Sequence, residues 1–382
     1  MAASVTVIGG GLAGLAVALG LERAGWKVAL YEQASAFTST GGGLTMAPSA
    51  IAGLDWLGLG AAFSRLAEPS FPPTILDWWT GDPLAAPQGA GSHLGAVRRI
   101  LRSDLHAILF EAAQARAGLA LHLGVRLEDI ASDGDGAIAR MSDGALVRGD
   151  LLLGADGIRS SARRFVAGED QPRFTGHVAW RFLVPATAGL PLLRGRKVAI
   201  TAGPSASLTC YTIAAGTLIN CVAIVRADGW AQEGWTIAGD PAELAGHFAD
   251  AHADARAMVA LAPRQGLFKW ALFDRDPIAR WHRERVGLLG DAAHPVLPFL
   301  GLGAGLAIED AVVMTRALAS MPVDEALAAV SRLRSPRAAL IQRLSRAQGE
   351  AFARIGEQRT TAPAPFFDPV IFDYDPATVM LS

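Results

Sequence analysis

Cysteine is almost missing from this chain of 382 residues, with Cys210 and Cys221 the only two. No Cys-x-x-Cys pair and no Cys/His ligand spacing occurs. That argues against a disulfide framework, a thiol redox motif and a metal site, and points to a reducing cytoplasm. Charge is sparse as well, at 18% Asp, Glu, Lys and Arg, and it balances to a net −2. The overall basic footprint that a nucleic acid or an anionic membrane needs is therefore lacking, which leaves local basic patches open, and a neutral or mildly anionic small molecule is the expected partner. Internal repeats and low-complexity tracts do not stand out. One uncharged stretch, Ser4 to Leu21, approaches the length of a membrane span. It has no Lys or Arg ahead of it, and Gly9, Gly10 and Gly11 interrupt it, so neither a signal peptide nor a membrane helix is expected there.

That stretch divides instead into a short β-branched strand, Val5 to Ile8, and an alanine- and leucine-rich helix, Ala13 to Arg23. Between them lies Gly9-Gly10-Gly11-Leu12-Ala13-Gly14, which satisfies G-x-G-x-x-G where a βαβ unit must turn. Gly9 permits the turn, Gly11 lets backbone approach a pyrophosphate, and Gly14 lets helix and sheet close up. Lys27 to Tyr31 forms the next strand and ends at Glu32, whose carboxylate can accept both hydroxyls of an adenosine ribose. The fingerprint predicts a dinucleotide and leaves FAD and NAD open. Two further strands end in aspartates, at Asp156 within Leu-Leu-Leu-Gly-Ala-Asp-Gly and at Asp291 within Val-Gly-Leu-Leu-Gly-Asp. An aspartate at a strand end, followed by a glycine loop and a helix, suits a second phosphate or ribose contact.

These motifs, together with RSDLHAIL at 102–109, AWRFLVPA at 179–186 and GLLGDAAHPVLPFLGLGAGLAIEDA at 287–311, resemble the single-component FAD-dependent aromatic hydroxylases. Those are the flavoprotein monooxygenases that include p-hydroxybenzoate hydroxylase, and the likeness is greatest to the branch of salicylate hydroxylase and 3-hydroxybenzoate 6-hydroxylase. The resemblance implies an α/β fold with a Rossmann-like FAD-binding domain, an inserted antiparallel β-sheet substrate domain and C-terminal helices. The flavin motifs sit at both ends, so the FAD domain is expected from residues 1–70, 96–170 and 280–350, the sheet domain from 71–95 and 171–279, and a C-terminal tail from 351–382.

It further implies an NAD(P)H-dependent monooxygenase that hydroxylates an aromatic or N-heteroaromatic substrate through a flavin C4a-hydroperoxide, with O₂ as co-substrate and NADH or NADPH as transient reductant. Alternatives on the same fold are epoxidation, oxidative decarboxylation, dearomatisation, or a flavin-bound redox module without oxygenation. A monomer or homodimer is expected. The cofactor set implied is Gly9, Gly11, Ala13, Gly14, Glu32, Gln33, Arg102, Val125, Asp156, Asp291, Gly303, Ala304 and Gly305, with Val125 against the adenine and the glycine loop along the isoalloxazine. His294 is expected to shape its turn rather than act as a base. Tyr211, on a predicted sheet-floor strand, is the expected catalytic residue, able to orient or deprotonate a phenol. Arg181 could pair with a substrate carboxylate, although a structural ion pair is favoured for it. Cys210, as a small hydrophobe, Pro298 and Leu302 complete the expected substrate contacts.

Two departures bear on the substrate. Leu302 stands where the loop commonly carries Gln, and Ser207 stands where relatives often place a histidine four residues before the tyrosine. The arginines Arg332, Arg334, Arg337, Arg343 and Arg346 are expected to form a solvated helix face.

Overall fold

The computed structural model describes residues 2–37, 42–84, 96–230, 237–358 and 371–381. The β-branched start forms the strand Ser4–Ile8, interior to a six-stranded sheet. Its order is His282–Arg283, Val286–Leu288, Leu151–Gly154, Ser4–Ile8, Lys27–Glu32 and Leu119–Leu123. Every neighbouring pair is parallel except at the His282–Arg283 edge. Parallel strands are covered on both faces and so can be apolar throughout, as Leu151–Gly154 is. The helix Leu12–Arg23 packs against the helix Gly303–Ser320 and is buried from Leu12 to Leu21, which explains why it shows no polar stripe.

The middle of the chain builds a seven-stranded sheet in the order Ile237–Ala238, Phe268–Asp274, Arg173–Pro185, Leu218–Arg226, Ala206–Ile213, Val198–Ala202 and Thr74–Asp77. It is antiparallel except for its last pair. Strand alternation gives it two unlike faces. One face contributes Trp180, Leu208, Cys210, Cys221 and Ala223 to a core shared with Phe248, Met258 and Val259. The other, carrying Arg181, Thr209, Tyr211 and Val222, looks toward the parallel sheet across a cavity. The architecture is thus an α/β parallel-sheet unit, an antiparallel sheet inserted between its strands, and C-terminal helices.

Three local expectations are corrected. The Asp240-Pro241 step predicts a helix through about Ala253, but the helix that opens there is shorter. It spans Pro241–Gly246, with Asp240 accepting from the Ala242 amide at 2.9 Å, and a second helix, Ala253–Ala260, is capped anew by His252. The last helix runs Val323–Gln358, beyond residue 351, because Phe352 and Ile355 lie one turn apart and bury against Ile75 and Ile200. Residues 371–381 pack on the body, with Arg316 donating to the carbonyls of Pro376 and Val379 at 2.7 and 2.9 Å. Phe366 and Phe367 lie outside the described residues.

The third correction concerns the arginine face. Arg332 and Arg343 are exposed, but Arg334 is wholly buried between Asp310, at 2.8 Å, and Glu309, at 2.8 Å. Arg337 binds Glu309 at 2.7 Å and stacks over Tyr374. Helical period placed one side of this segment inward, and two buried acids on the neighbouring helix made arginine the matching residue. Removing one partner of a buried pair leaves an uncompensated charge. Arg334→Leu is therefore expected to lower unfolding free energy by about 3–5 kcal/mol in denaturant titration. Arg343→Leu should stay within about 0.5 kcal/mol, and equal effects would contradict this placement.

Candidate active site

The glycine turn is shaped by contacts that exclude side chains. Gly9 has φ +105°, and a Cβ at Gly14 would stand 1.9 Å from the Gly9 carbonyl oxygen. At Gly11, by contrast, a Cβ would meet nothing within 4 Å, and the residue lines the cavity. Beside the turn, the Glu32 carboxylate accepts from the amides of Gly10 at 2.7 Å and Ala34 at 2.8 Å. Among the described residues these are its hydrogen bonds, which leaves lone pairs for ribose hydroxyls. Val125 donates its amide to the Glu32 carbonyl at 2.9 Å, so it lies against the end of this strand, while Gln33 is exposed next to it.

Asp291 and Arg102 both line the cavity and each charge acts on the other, without forming an ion pair. Asp291 is set deep in the protein yet opens onto the cavity; desolvation pushes its carboxyl above the usual range, opposed by the charges of His294 and Arg102. Burial likewise lowers the Arg102 guanidinium, with Asp291 opposing. The turn bearing Asp291 is anchored from behind. Asp310 accepts from the Gly290 amide at 3.0 Å and meets His294 Nε2 at 2.5 Å, and it also holds Arg334. His294 is 1% exposed and does not line the cavity, so it shapes the turn.

Asp156 turns out to be a helix anchor rather than a cavity residue. It accepts from the amides of Ser161 at 2.8 Å and Ala162 at 3.3 Å, and from the Ser160 hydroxyl, at the start of the helix Ser161–Ala167. Its neighbours Ala155, Gly157 and Ile158 line the cavity in its place. In the later loop, Gly303 and Ala304 line the cavity at the first turn of Gly303–Ser320, where backbone amides are unpaired within the helix. Gly305 packs instead toward Ala50. Leu302 points away as well, into a cluster with Ala47, Leu306 and Ile341, because the helix begins directly after it. Its side chain is therefore no substrate contact.

On the opposite wall, the cavity of about 920 Å³ is floored by alternate residues of the antiparallel sheet. Tyr211, with Ser207 and Thr209, faces it, whereas Cys210 points to the far side, 3.6 Å from the Cys221 sulfur. A side-chain period of two makes neighbours on a strand mutually exclusive, so Cys210 is a core residue and not a substrate contact. Pro298 lines the cavity. Arg181 makes no ion pair among the described residues. It stacks over Trp270 at 4.8 Å, its Nε is buried without a partner, and it too faces the cavity.

Three residues bearing on the site escaped sequence reasoning. Arg99 lies over the Tyr211 ring at 3.9 Å. His106 meets the Gly10 carbonyl at 2.8 Å through Nε2, one turn beyond Arg102 on its helix. Asn220, fully buried, accepts from the Gly43 amide at 2.9 Å. The available signals were an arginine and an amide set inside apolar strands, and the i, i+4 spacing of Arg102 and His106. Among the described residues lining the cavity, Arg99, Arg102 and Arg181 oppose the single carboxylate of Asp291, so the space is electropositive.

The wall of open glycine backbone, a ribose-ready carboxylate, helix-start amides and the opposite charges of Arg102 and Asp291 fit a flavin dinucleotide. Comparison with known proteins agrees. The family described as FAD binding domain matches residues 2–344. The 3-amino-4-hydroxybenzoate 2-monooxygenase of Streptomyces platensis is 37% identical over 354 residues, covering 91% of this chain and 88% of that protein. The 3-hydroxybenzoate 6-hydroxylase of Klebsiella oxytoca is 32% identical over 360 residues, covering 92% and 89%. Among solved structures, a salicylate hydroxylase substrate complex superposes with a TM-score of 0.80 at 25% identity, covering 98% of this chain and 96% of that one. The chain therefore belongs to the FAD-binding aromatic monooxygenases and is an FAD-dependent enzyme of that family.

Proposed function

We propose that this enzyme hydroxylates the ring of a small phenolic or hydroxylated N-heteroaromatic compound, with Tyr211 positioning the substrate oxygen. The observation carrying the reading is the Tyr211 side chain, which projects from the sheet floor into the cavity opposite Asp291 and lies under Arg99. Bound FAD, once reduced by NADH or NADPH, supplies the chemistry that activates O₂ and delivers one oxygen atom to the ring.

The chain's own residues do the rest. Burial pushes the Tyr211 phenol up, opposed by Arg99 and Arg181, so its hydroxyl stays neutral at neutral pH and can donate to a substrate oxygen. The guanidiniums on either side favour the deprotonated, electron-rich form of that oxygen. Val222, Ile224, Trp270 and Leu272 keep the floor apolar and limit water. On the cofactor wall, Glu32 and Gln33 are assigned to the ribose, Val125 to the adenine side, and Gly9, Gly11, Ala13 and Gly14 to the pyrophosphate turn. Arg102, Asp291 and the amides of Gly303, Ala304 and Gly305 are assigned to the phosphate, ribityl and ring portions. The amide of Gly305 remains a candidate although its Cα side is buried. Asp156 acts by holding its loop.

We place the FAD unit in residues 1–70, 96–170 and 280–350, and the substrate unit in 71–95 and 171–279. A cytoplasmic location is supported by two unbridged thiols, and the assembly proposed is a monomer or homodimer.

The test is turnover of FAD-loaded protein with NADH or NADPH and a panel of hydroxybenzoates and hydroxypyridines. A product heavier by one oxygen supports the reading, and peroxide alone from every compound would refute it. With an accepted substrate, Tyr211→Phe should slow product formation about 100-fold and divert reductant to peroxide; an unchanged product rate would remove Tyr211 from the reaction. Asp291→Ala should weaken FAD binding at least about tenfold, read as bound flavin per chain after dialysis, with the circular dichroism of the fold retained. A fully yellow variant would overturn the Asp291 assignment.

A further inference from the structure

Arg99 is a buried cation that forms no ion pair among the described residues. It is 6% exposed, it lines the cavity, and its Nε is buried without a hydrogen-bond partner. It comes from the strand Arg98–Leu101, which pairs with Gly43–Met46 and Glu68–Pro69. Glu68, paired with it in register, places a favourable charge nearby, but its carboxylate accepts from the Ala215 amide and forms no ion pair with Arg99. What Arg99 does contact is the face of Tyr211, at 3.9 Å. Arg181 is the second guanidinium of this wall without an ion pair among the described residues, so Tyr211 feels both.

An arginine withdrawn from water without a partner is costly, and the cost falls when an anion arrives. Structural arginines of this chain are built differently: Arg334 sits between two carboxylates. From this contrast we infer that Arg99 is the specificity-determining residue of the substrate site, binding a carboxylate carried by the aromatic substrate while its stacking fixes the Tyr211 ring. The bidentate geometry of a guanidinium suits a planar carboxylate, and the aromatic contact leaves its N–H edges available. The inference rests on the cavity being the substrate site. It adds the chemical class of the group recognised and the residue that recognises it. Arg181, over Trp270, borders the same space and supplies long-range attraction.

The experiment is calorimetric titration of FAD-loaded protein with the three hydroxybenzoate isomers and their uncharged amides. For the best acid, wild-type protein should bind at least about 30-fold more tightly than it binds the matching amide. Arg99→Met should weaken that acid about 30-fold and the amide less than about threefold, and Arg99→Lys should restore most of the difference. Because the substitution to Met removes an unpaired buried charge, its ligand-free thermal midpoint should equal or exceed that of wild type. The proposal is overturned if no isomer binds, if acid and amide bind alike, or if Arg99→Met weakens both equally or neither. A lowered midpoint would also overturn it, since that marks a structural arginine. Ring hydroxylation that persists without acid preference would defeat the Arg99 assignment alone, whereas absence of any hydroxylated product defeats the underlying reading.

Discussion

One buried carboxylate sets the geometry on which the cofactor wall depends. Asp310 receives the Gly290 amide, His294 and Arg334, and so ties the turn that presents Asp291 to two long helices. Burial would raise the Asp310 carboxyl, but the charges of His294 and Arg334 hold it below its usual range. An ionised acid inside a core is tolerable only with such complete pairing. The consequence is positional: the strand end Val286–Leu288 and the glycine turn after Ser4–Ile8 come from opposite ends of the chain yet form one wall.

The second constraint is the alternation of the seven-stranded sheet. The same strands seal a hydrophobic core with one set of side chains and present chemistry with the other. Tyr211 and Cys210 are chain neighbours with opposite fates, one in the cavity and the other in the core. The sheet also joins in one space a wall fit for a flavin dinucleotide and a floor rich in arginine and aromatic groups. Neither wall alone makes an oxygenase; their shared cavity does.

Much of this was legible in the chain because local rules carried it. The G-x-G-x-x-G turn, Glu32 at the next strand end and Asp291 after a buried strand are short-range patterns with one geometric meaning. What the sequence left hidden depends on long-range contacts. Leu302 lies in a loop motif, but where the helix begins decides which side chains face the flavin wall. Arg334 and Arg337 look like solvent residues until Glu309 and Asp310 are placed beside them. Arg99 carries no motif at all, and only its position over Tyr211, far off in sequence, gives it meaning.

The claim that the two walls enclose a single space is tested most directly by the visible spectrum of the FAD-loaded protein during titration with an aromatic acid that it hydroxylates. A saturable perturbation of the flavin bands, reaching one equivalent of ligand per FAD, is the predicted result. A flavin spectrum that stays unchanged while the same acid binds at one equivalent would place the ligand away from the cofactor and contradict the account.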